Sequence, residues 1–288
     1  MIATSVGSNP DTVARIITNG FGQELGQQII VDNRAGAGGN IGAELAARAP
    51  ADGYTLFLAH TNHSINATLY RKLTYDIIND FIPVTLLAVS PYVAAVHPSL
   101  PARSVRDLLR IAKARPGDIN YASAGVGSGT FFAAEYFNAL GKVKLEQVPY
   151  TGGGPALTSV LAGETSVYFS PISTGLPHMR SGKLRPLGVS SPKRLAQLPD
   201  IPPIAETVPG YELMGWAGLM APARTPREVV EAVHRAAIAA LAKPEVGKRL
   251  EDIGVVAMTG RPEDMLAYVK AEIAKYAKII RDINMPLQ

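Results

Sequence analysis

The chain has 288 residues, 47% hydrophobic and 18% charged, with a formal net charge of +4 and no cysteine. That length holds one large domain or two medium ones, the composition is that of a core-forming rather than a disordered chain, and neither a disulfide framework nor thiol chemistry is available. Lys and Arg are scattered without a dense basic run, which argues against nucleic acid as a partner, and no apolar run approaches the roughly 20 residues that span a bilayer.

The chain opens on "MIATSVGSNPD", almost inside a strand. No basic segment followed by an apolar one is visible, so no signal peptide is seen. So abrupt an opening suits a mature or trimmed chain and does not exclude export. Asn9 then Pro10 reads as an N-cap with proline at the first helical position. Val13, Ile16, Ile17 and Leu25 follow at helical spacing. Residues 29–31 are β-branched and predict a strand. Asn40 opens a helix that Pro50 stops, and residues 54–59 predict a second strand. Residues 1–60 thus read β-α-β-α-β, the order of a parallel sheet.

Residues 82–96 are almost all apolar, with Pro91 near their middle. Ser104 caps a helix ending near Pro116. The order then repeats: a strand at 119–122, a glycine loop, a helix to Leu140, a strand at 145–148, a glycine loop, and a helix to Ala162 with Gly163 behind it as a C-cap. Strands at 166–169 and 184–189 enclose a short helix. Proline-rich stretches follow at 199–203 and at Pro209. Thr225, Pro226 and Glu228 read as a capping box. Helices to Ala242, over 244–253 and from 262 to about 283 end the chain. Two β-α blocks and a helical tail result, with natural boundaries near 89–101 and 209–222.

Parallel sheets put ligand loops at the carboxyl ends of their strands. Five such loops stand out: residues 5–11, 36–42, 59–66 ("AHTNHSIN"), 121–132 ("YASAGVGSGTFF") and 149–157 ("PYTGGGPAL"). Gly36, Gly38 and Gly42 give G-x-G-x-x-x-G, not the dinucleotide fingerprint. The acidic residue expected about 20 positions on is missing, and no Lys-Ser/Thr pair makes a P-loop. The glycines there read instead as a close approach of helix to sheet. The loop at 121–132 joins hydroxyls to a helix start and carries no Lys or Arg. That chemistry suits a carboxylate held by hydrogen bonds better than a phosphate, although a glycine turn with Ser and Thr caps reads equally well. His60 and His63 lack a third group at metal-binding spacing, and no G-x-S-x-G elbow is present. Asp11, Asp32 and Asp52 read as caps and turn residues, and His178 and His234 as surface or core residues of helices. Trp216 is open between core and pocket floor.

Five segments in order, "VDNRAGAGGNIGAELAARAPADGYTLFLA", "YASAGVGSGT", "VPYTGGGPALTSVLAGE", "LPDIPPIAE" and "GLMAPARTPREVVEAV", resemble the Bug-type receptors, the solute-binding proteins of tripartite tricarboxylate transporters. The resemblance covers essentially the whole chain. It implies an α/β, type II periplasmic-binding-protein fold. Its first domain would comprise residues 1–96 plus 218–288, its second 97–217, around a ligand cleft. It further implies a periplasmic, monomeric binding protein without cofactor, metal or enzymatic activity, which captures a small carboxylate and delivers it to the transporter's membrane subunits. Family members hold carboxylates by loop amides, hydroxyls and waters. The matching positions are Ser8, Thr61, Asn62, Ser123, Gly127, Ser128, Thr130 and Phe131, with Tyr150, Gly152 and Ser170 at the opposite end.

Some positions depart from the family pattern. Ser8 and Asn9 stand where glycines are common, and Phe131 where a histidine often follows the Ser/Thr turn. Members that bind acidic amino acids can carry an Asp near Ser170, but the stretch is "YFSPIS". A dicarboxylate or an aromatic or hydroxylated acid is therefore expected over an amino acid. Two other classes fit the same residues: a ligand-loaded partner of a signalling receptor, and a nucleotide-dependent α/β oxidoreductase using the first glycine loop.

Overall fold

The computed structural model describes Met1–Gln288 and divides into two compact units. Unit 1 is Met1–Val89, Trp216–Asp252 and Val256–Gln288; unit 2 is Ser90–Gly215 with Ile253–Val255. No helix is long and apolar enough to cross a membrane.

Unit 1 begins with α1 (Asn9–Leu25), a 3-10 turn at Ala37–Gly39, α2 (Asn40–Ala47), β1 (Phe57–His60) and α3 (Thr61–Leu69). The next strand, β2 (Phe81–Val96), starts in unit 1 and continues into unit 2. Unit 2 then holds α4 (Val105–Ala114), β3 (Asn120–Ser123), α5 (Gly129–Gly141), β4 (Glu146–Pro149), α6 (Gly153–Leu161), β5 (Val167–Pro171), α7 (Ile172–Arg180) and β6 (Arg185–Val189). A second long strand, β7 (Met214–Pro222), returns the chain to unit 1, which ends with α8 (Arg227–Leu241), α9 (Pro244–Asp252), β8 (Val256–Ala257) and α10 (Pro262–Asp282).

In unit 2, β3 pairs in parallel with β4 and β5. β2 pairs antiparallel with β5 and with β6. The parallel arrangement read from the sequence therefore holds for the β3–β5 core. In unit 1, β1 runs antiparallel to β7, with His60 opposite Ala217, and β8 antiparallel to β2. The long strands β2 and β7 both pass from one unit to the other, and the chain enters unit 2 again briefly at Ile253–Val255. Each unit has its own core. Phe57, Phe81, Leu86, Trp216 and Met265 centre the first, and Val93, Val160, Tyr168, Ile172 and Val189 the second.

Local chemistry explains most element ends. Ser104 Oγ accepts from Asp107 N–H and caps α4. Gly26 ends α1 in the left-handed region, at φ 64°. Three readings are corrected. The cap of α1 is Ser8, with Asn9 already helical. Thr225 does not cap α8: its hydroxyl donates back to Pro222 O, and Pro226 takes the cap position. Residues 29–31 form no strand. The parallel ladder beside them begins only where Ile2 meets Asn33, so their main-chain groups have no neighbour to pair with.

Candidate functional site

Each unit gathers helix starts lined by hydroxyls. In unit 1 the first is the head of α1. Ser8 holds extended backbone as its N-cap, yet its hydroxyl caps nothing. Ser8 Oγ is buried, the residue being 5% exposed, and has no hydrogen-bond partner. The loop is set from behind by Asp11, which accepts from Gly7 N–H at 2.9 Å, from Arg15 Nε at 3.0 Å and from Asn33 Nδ2 at 3.1 Å. Arg15 thus neutralises the one acid of this loop, and residues 5–11 contain no Lys or Arg.

The second helix start in unit 1 is α3. Thr61 Oγ1 accepts from Trp216 N–H at 2.8 Å, tying this turn to β7. Asn62 Nδ2 and Asn66 Nδ2 each donate to Gly38 O at 3.1 Å. The first glycine loop therefore turns a carbonyl toward α3, the wrong polarity for a phosphate. Gly42 explains the loop's small residues: a Cβ there would stand 2.7 Å from Ala3 and from Arg34 O. The loop packs a helix against the opening segment, as its composition suggests.

Two buried histidines sit at the head of α3, His60 as its N-cap and His63 in its first turn. Their rings meet edge-on with centroids 4.4 Å apart, and His63 Nδ1 accepts from His60 N–H at 3.0 Å. Neither Nε2 has a hydrogen-bond partner. Burial, and for His60 also its neighbour His63, holds both well below the usual imidazole range, His63 to about 4. Both rings are neutral at pH 7. Trp216 belongs to the core, buried against Tyr268.

In unit 2 the loop after β3 reaches α5 through Gly125 (φ 93°) and Gly127 (φ 79°), conformations that favour glycine. Ser128 Oγ caps α5 by accepting from Phe131 N–H at 3.2 Å and donates to Gly125 O at 2.6 Å. Thr130 Oγ1 accepts from Ala124 N–H and lies 3.1 Å from Ser128 Oγ. With the Ser128 proton spent on Gly125, Thr130 is the donor of that pair. Ser123 Oγ accepts from Gln147 Nε2 at 2.8 Å and from Gly125 N–H at 3.3 Å, and its own proton is committed to no acceptor. Phe131 is buried in the first turn of α5. Tyr150 N–H donates to Ser123 O, and Gly152 is the N-cap of α6 in extended conformation. Ser170 Oγ, buried, donates to Pro171 O at 3.0 Å.

Proton by proton, the hydroxyls thus divide. Those of Ser128, Thr130 and Ser170 hold loops together. Those of Ser8 and Ser123 are unspent and could meet an anion. Two positions escaped the sequence reading. Tyr92 on β2 presses its hydroxyl on the start of α5, where a Cβ on Gly129 would lie 2.0 Å from Tyr92 Oη. Gln147 on β4 sets Ser123. Neither carries a local signal, because each acts from another strand.

Residues 13–285 match the family model described as "Tripartite tricarboxylate transporter family receptor". A Pseudomonas sp. (strain P51) protein, described as a UPF0065 protein in the tcbD-tcbE intergenic region, is 36% identical over 97% of this chain and 84% of its own length. BugT of Bordetella pertussis is 30% identical over 98% of this chain and 87% of its own. Among solved structures, Rhodopseudomonas palustris Rpa4515 with adipate superposes with TM-score 0.94 at 34% identity, covering 98% of this chain and 95% of that one. MatC of R. palustris with bound malate gives 0.92 at 31%, covering 96% of each. The fold is that of the periplasmic binding proteins, and the chain belongs to the tripartite tricarboxylate transporter receptor family, the Bug-type solute-binding proteins.

Proposed function

We propose that the protein is an extracytoplasmic receptor that captures a small dicarboxylate and delivers it to the membrane subunits of a tripartite tricarboxylate-type transporter. The observation that carries this reading is the unspent hydroxyl of Ser8, buried at the head of the 17-residue α1 with no cation in its loop. Burying a carboxylate is costly unless several donors meet it. The positive end of a long helix and an idle hydroxyl are donors of that kind. Ser123, at the end of β3 in unit 2, has a second uncommitted hydroxyl proton. Two relatives of known structure, one with adipate and one with bound malate, support a dicarboxylate. An acidic amino acid fits less well, because no carboxylate stands beside Ser170 to meet an ammonium group. A ligand that binds one conformation better than another would shift the population toward it, a change that the membrane subunits could recognise.

A thermal-shift screen tests this. C4 to C6 dicarboxylates are expected to raise Tm, since a ligand at 100 times its Kd stabilises by about 2.7 kcal/mol. Monocarboxylates, glutamate and NAD serve as comparisons. A shift with NAD and none with any acid would refute the reading.

A further inference from the structure

Lys and Arg are scattered along the chain, but the fold gathers them. Unit 1 holds 16 cations and 16 acids and unit 2 holds 12 and 8, so the whole net charge of +4 belongs to unit 2. Within unit 2 it comes from two segments: residues 103–118 and 141–146 carry seven cations against three acids. On α4, Val105, Leu108 and Ala112 are buried, while Arg106, Arg110 and Lys113, spaced four and three residues apart, are exposed on the other side. Arg103 is exposed just ahead of them. The end of α5 packs against this helix, since a Cβ on Gly141 would lie 2.7 Å from Leu109 Cδ2. That contact brings in Lys142, exposed and in the left-handed region at φ 51°, where glycine is the usual residue.

The acids do not cancel this charge. Asp107 accepts from Arg110 at 3.0 Å, from Ser104 Oγ and from Arg103 N–H, and Glu146 pairs with Lys144. Asp118 sits in the turn beside Arg115. Arg103, Arg106, Lys113 and Lys142 make no ion pair. The face also has a fixed place in the unit. β3, β4 and β5 are parallel, and the candidate loops follow the carboxyl ends of β3 and β4. Residues 115–119 lead into β3, and Lys144 precedes β4 and accepts at its carbonyl from Gly117 N–H. Arg185, at the start of β6, donates to Leu100 O and Ala102 O, just before Arg103. The cations thus lie at the amino ends of the strands, away from Ser123 and Ser128.

We infer that this face of unit 2 docks on a membrane surface rich in anionic headgroups, held by charge and without insertion. Unpaired cations on flexible stems suit a bed of many equivalent negative charges, which asks for no fixed partner geometry. A protein partner fits less well. Protein interfaces close around an apolar centre, and no large apolar side chain of unit 2 is exposed. The same lack excludes an inserted anchor. Nucleic acid fits less well too, because residues 103–118 and 141–146 contain no Asn, Gln or aromatic side chain to read or stack on bases. Docking by the amino ends of the strands leaves the loops at the carboxyl ends of β3 and β4 uncovered, so the surface can act while those loops are engaged.

Co-sedimentation with vesicles tests the surface. At about 10 mM salt, where charges act over about 30 Å, the protein is expected to sediment with vesicles of equal parts phosphatidylglycerol and phosphatidylcholine and to stay in solution with phosphatidylcholine alone. In about 1 M salt, where that reach falls to about 3 Å, it is expected to leave the anionic vesicles. The double variant Arg106→Glu/Lys113→Glu is expected to lower partitioning about tenfold or more. Arg235→Glu/Lys270→Glu makes the same change of net charge at two exposed positions of unit 1 and is expected to lower it about twofold at most. Equal losses in the two variants would mean that net charge alone attracts the protein and would overturn the inference. So would no binding to anionic vesicles, or binding that salt leaves unchanged. Retention by duplex DNA without binding to vesicles would give the face to nucleic acid instead. Both variants are expected to keep the parent's Tm and its thermal shift with dicarboxylates, so failure of the docking surface and failure of the receptor reading are distinguishable.

Discussion

Two serines of similar appearance in the sequence do different work. Ser128 Oγ accepts from Phe131 N–H and donates to Gly125 O. Removing it strips a helix cap, so Ser128→Ala is expected to cost about 1 kcal/mol of stability and to weaken ligand binding only as far as the loop loosens. Ser8 Oγ has no partner to lose. Ser8→Ala is expected to leave stability within about 0.5 kcal/mol of the parent. It is expected to cost about 1.5–3 kcal/mol of binding, the range for a hydrogen bond to a charged group. Denaturant titration and calorimetry with the best dicarboxylate measure the two effects separately. Unchanged affinity in Ser8→Ala would remove Ser8 from the site. The residue types at both positions were legible in the sequence; the division of labour was not. It depends on where each hydroxyl proton goes, and that is fixed by backbone carbonyls such as Gly125 O that only the folded loop presents.

At the scale of elements, the start of α5 shows what local pattern reaches and where it stops. A strand, a glycine loop, a serine and a helix were all readable around residues 119–140, because caps and left-handed glycines are local chemistry. The need for glycine at 129 was not readable, since its reason is Tyr92, which arrives on β2. The run 214–222 was likewise unread as a strand. Its residues are buried almost throughout, so it shows no alternation, and a short apolar run has no period to identify it. Gly129→Ala is expected to destabilise by about 1–3 kcal/mol through overpacking, since the new methyl would meet Tyr92 Oη at 2.0 Å. Tyr92→Phe removes that oxygen and should recover much of the loss. Chemical unfolding of both singles and the double gives the coupling. Strict additivity would show that the crowding lies elsewhere.

For the whole molecule, the buried histidine pair ties stability to pH. The motif "HTNH" was visible, but its burial was not, because the cover comes from Phe57 on β1, from Tyr75, whose ring centroid lies 6.3 Å from that of His63, and from the main chain of Ala3 and Gly39. No carboxylate faces either ring from these elements, and the polar contacts of Ala3, Asn62 and Gly39 favour the imidazolium less than burial opposes it. Desolvation lowers both folded-state values, that of His63 to about 4, against an unfolded value near 6.5. As pH falls below 6.5 the unfolded chain takes up protons that the folded chain refuses, and stability drops until pH reaches the folded value. Each histidine contributes a slope of about 1.4 kcal/mol per pH unit across that window. Glu135 acts in the opposite sense, since burial raises its carboxyl, so the total curve mixes both and a variant is needed to separate them. In His63→Asn the side-chain oxygen can still accept from His60 N–H, as His63 Nδ1 does, while the titration at this position disappears and Glu135 is untouched. Between pH 6.5 and about 4.5 the stability of His63→Asn is expected to fall less steeply than that of the parent, by about one proton's slope. Unfolding by denaturant at half-unit pH steps measures it. Parallel curves for the two proteins would mean that His63 is protonated as readily in the fold as out of it, and that its burial does not hold the ring neutral.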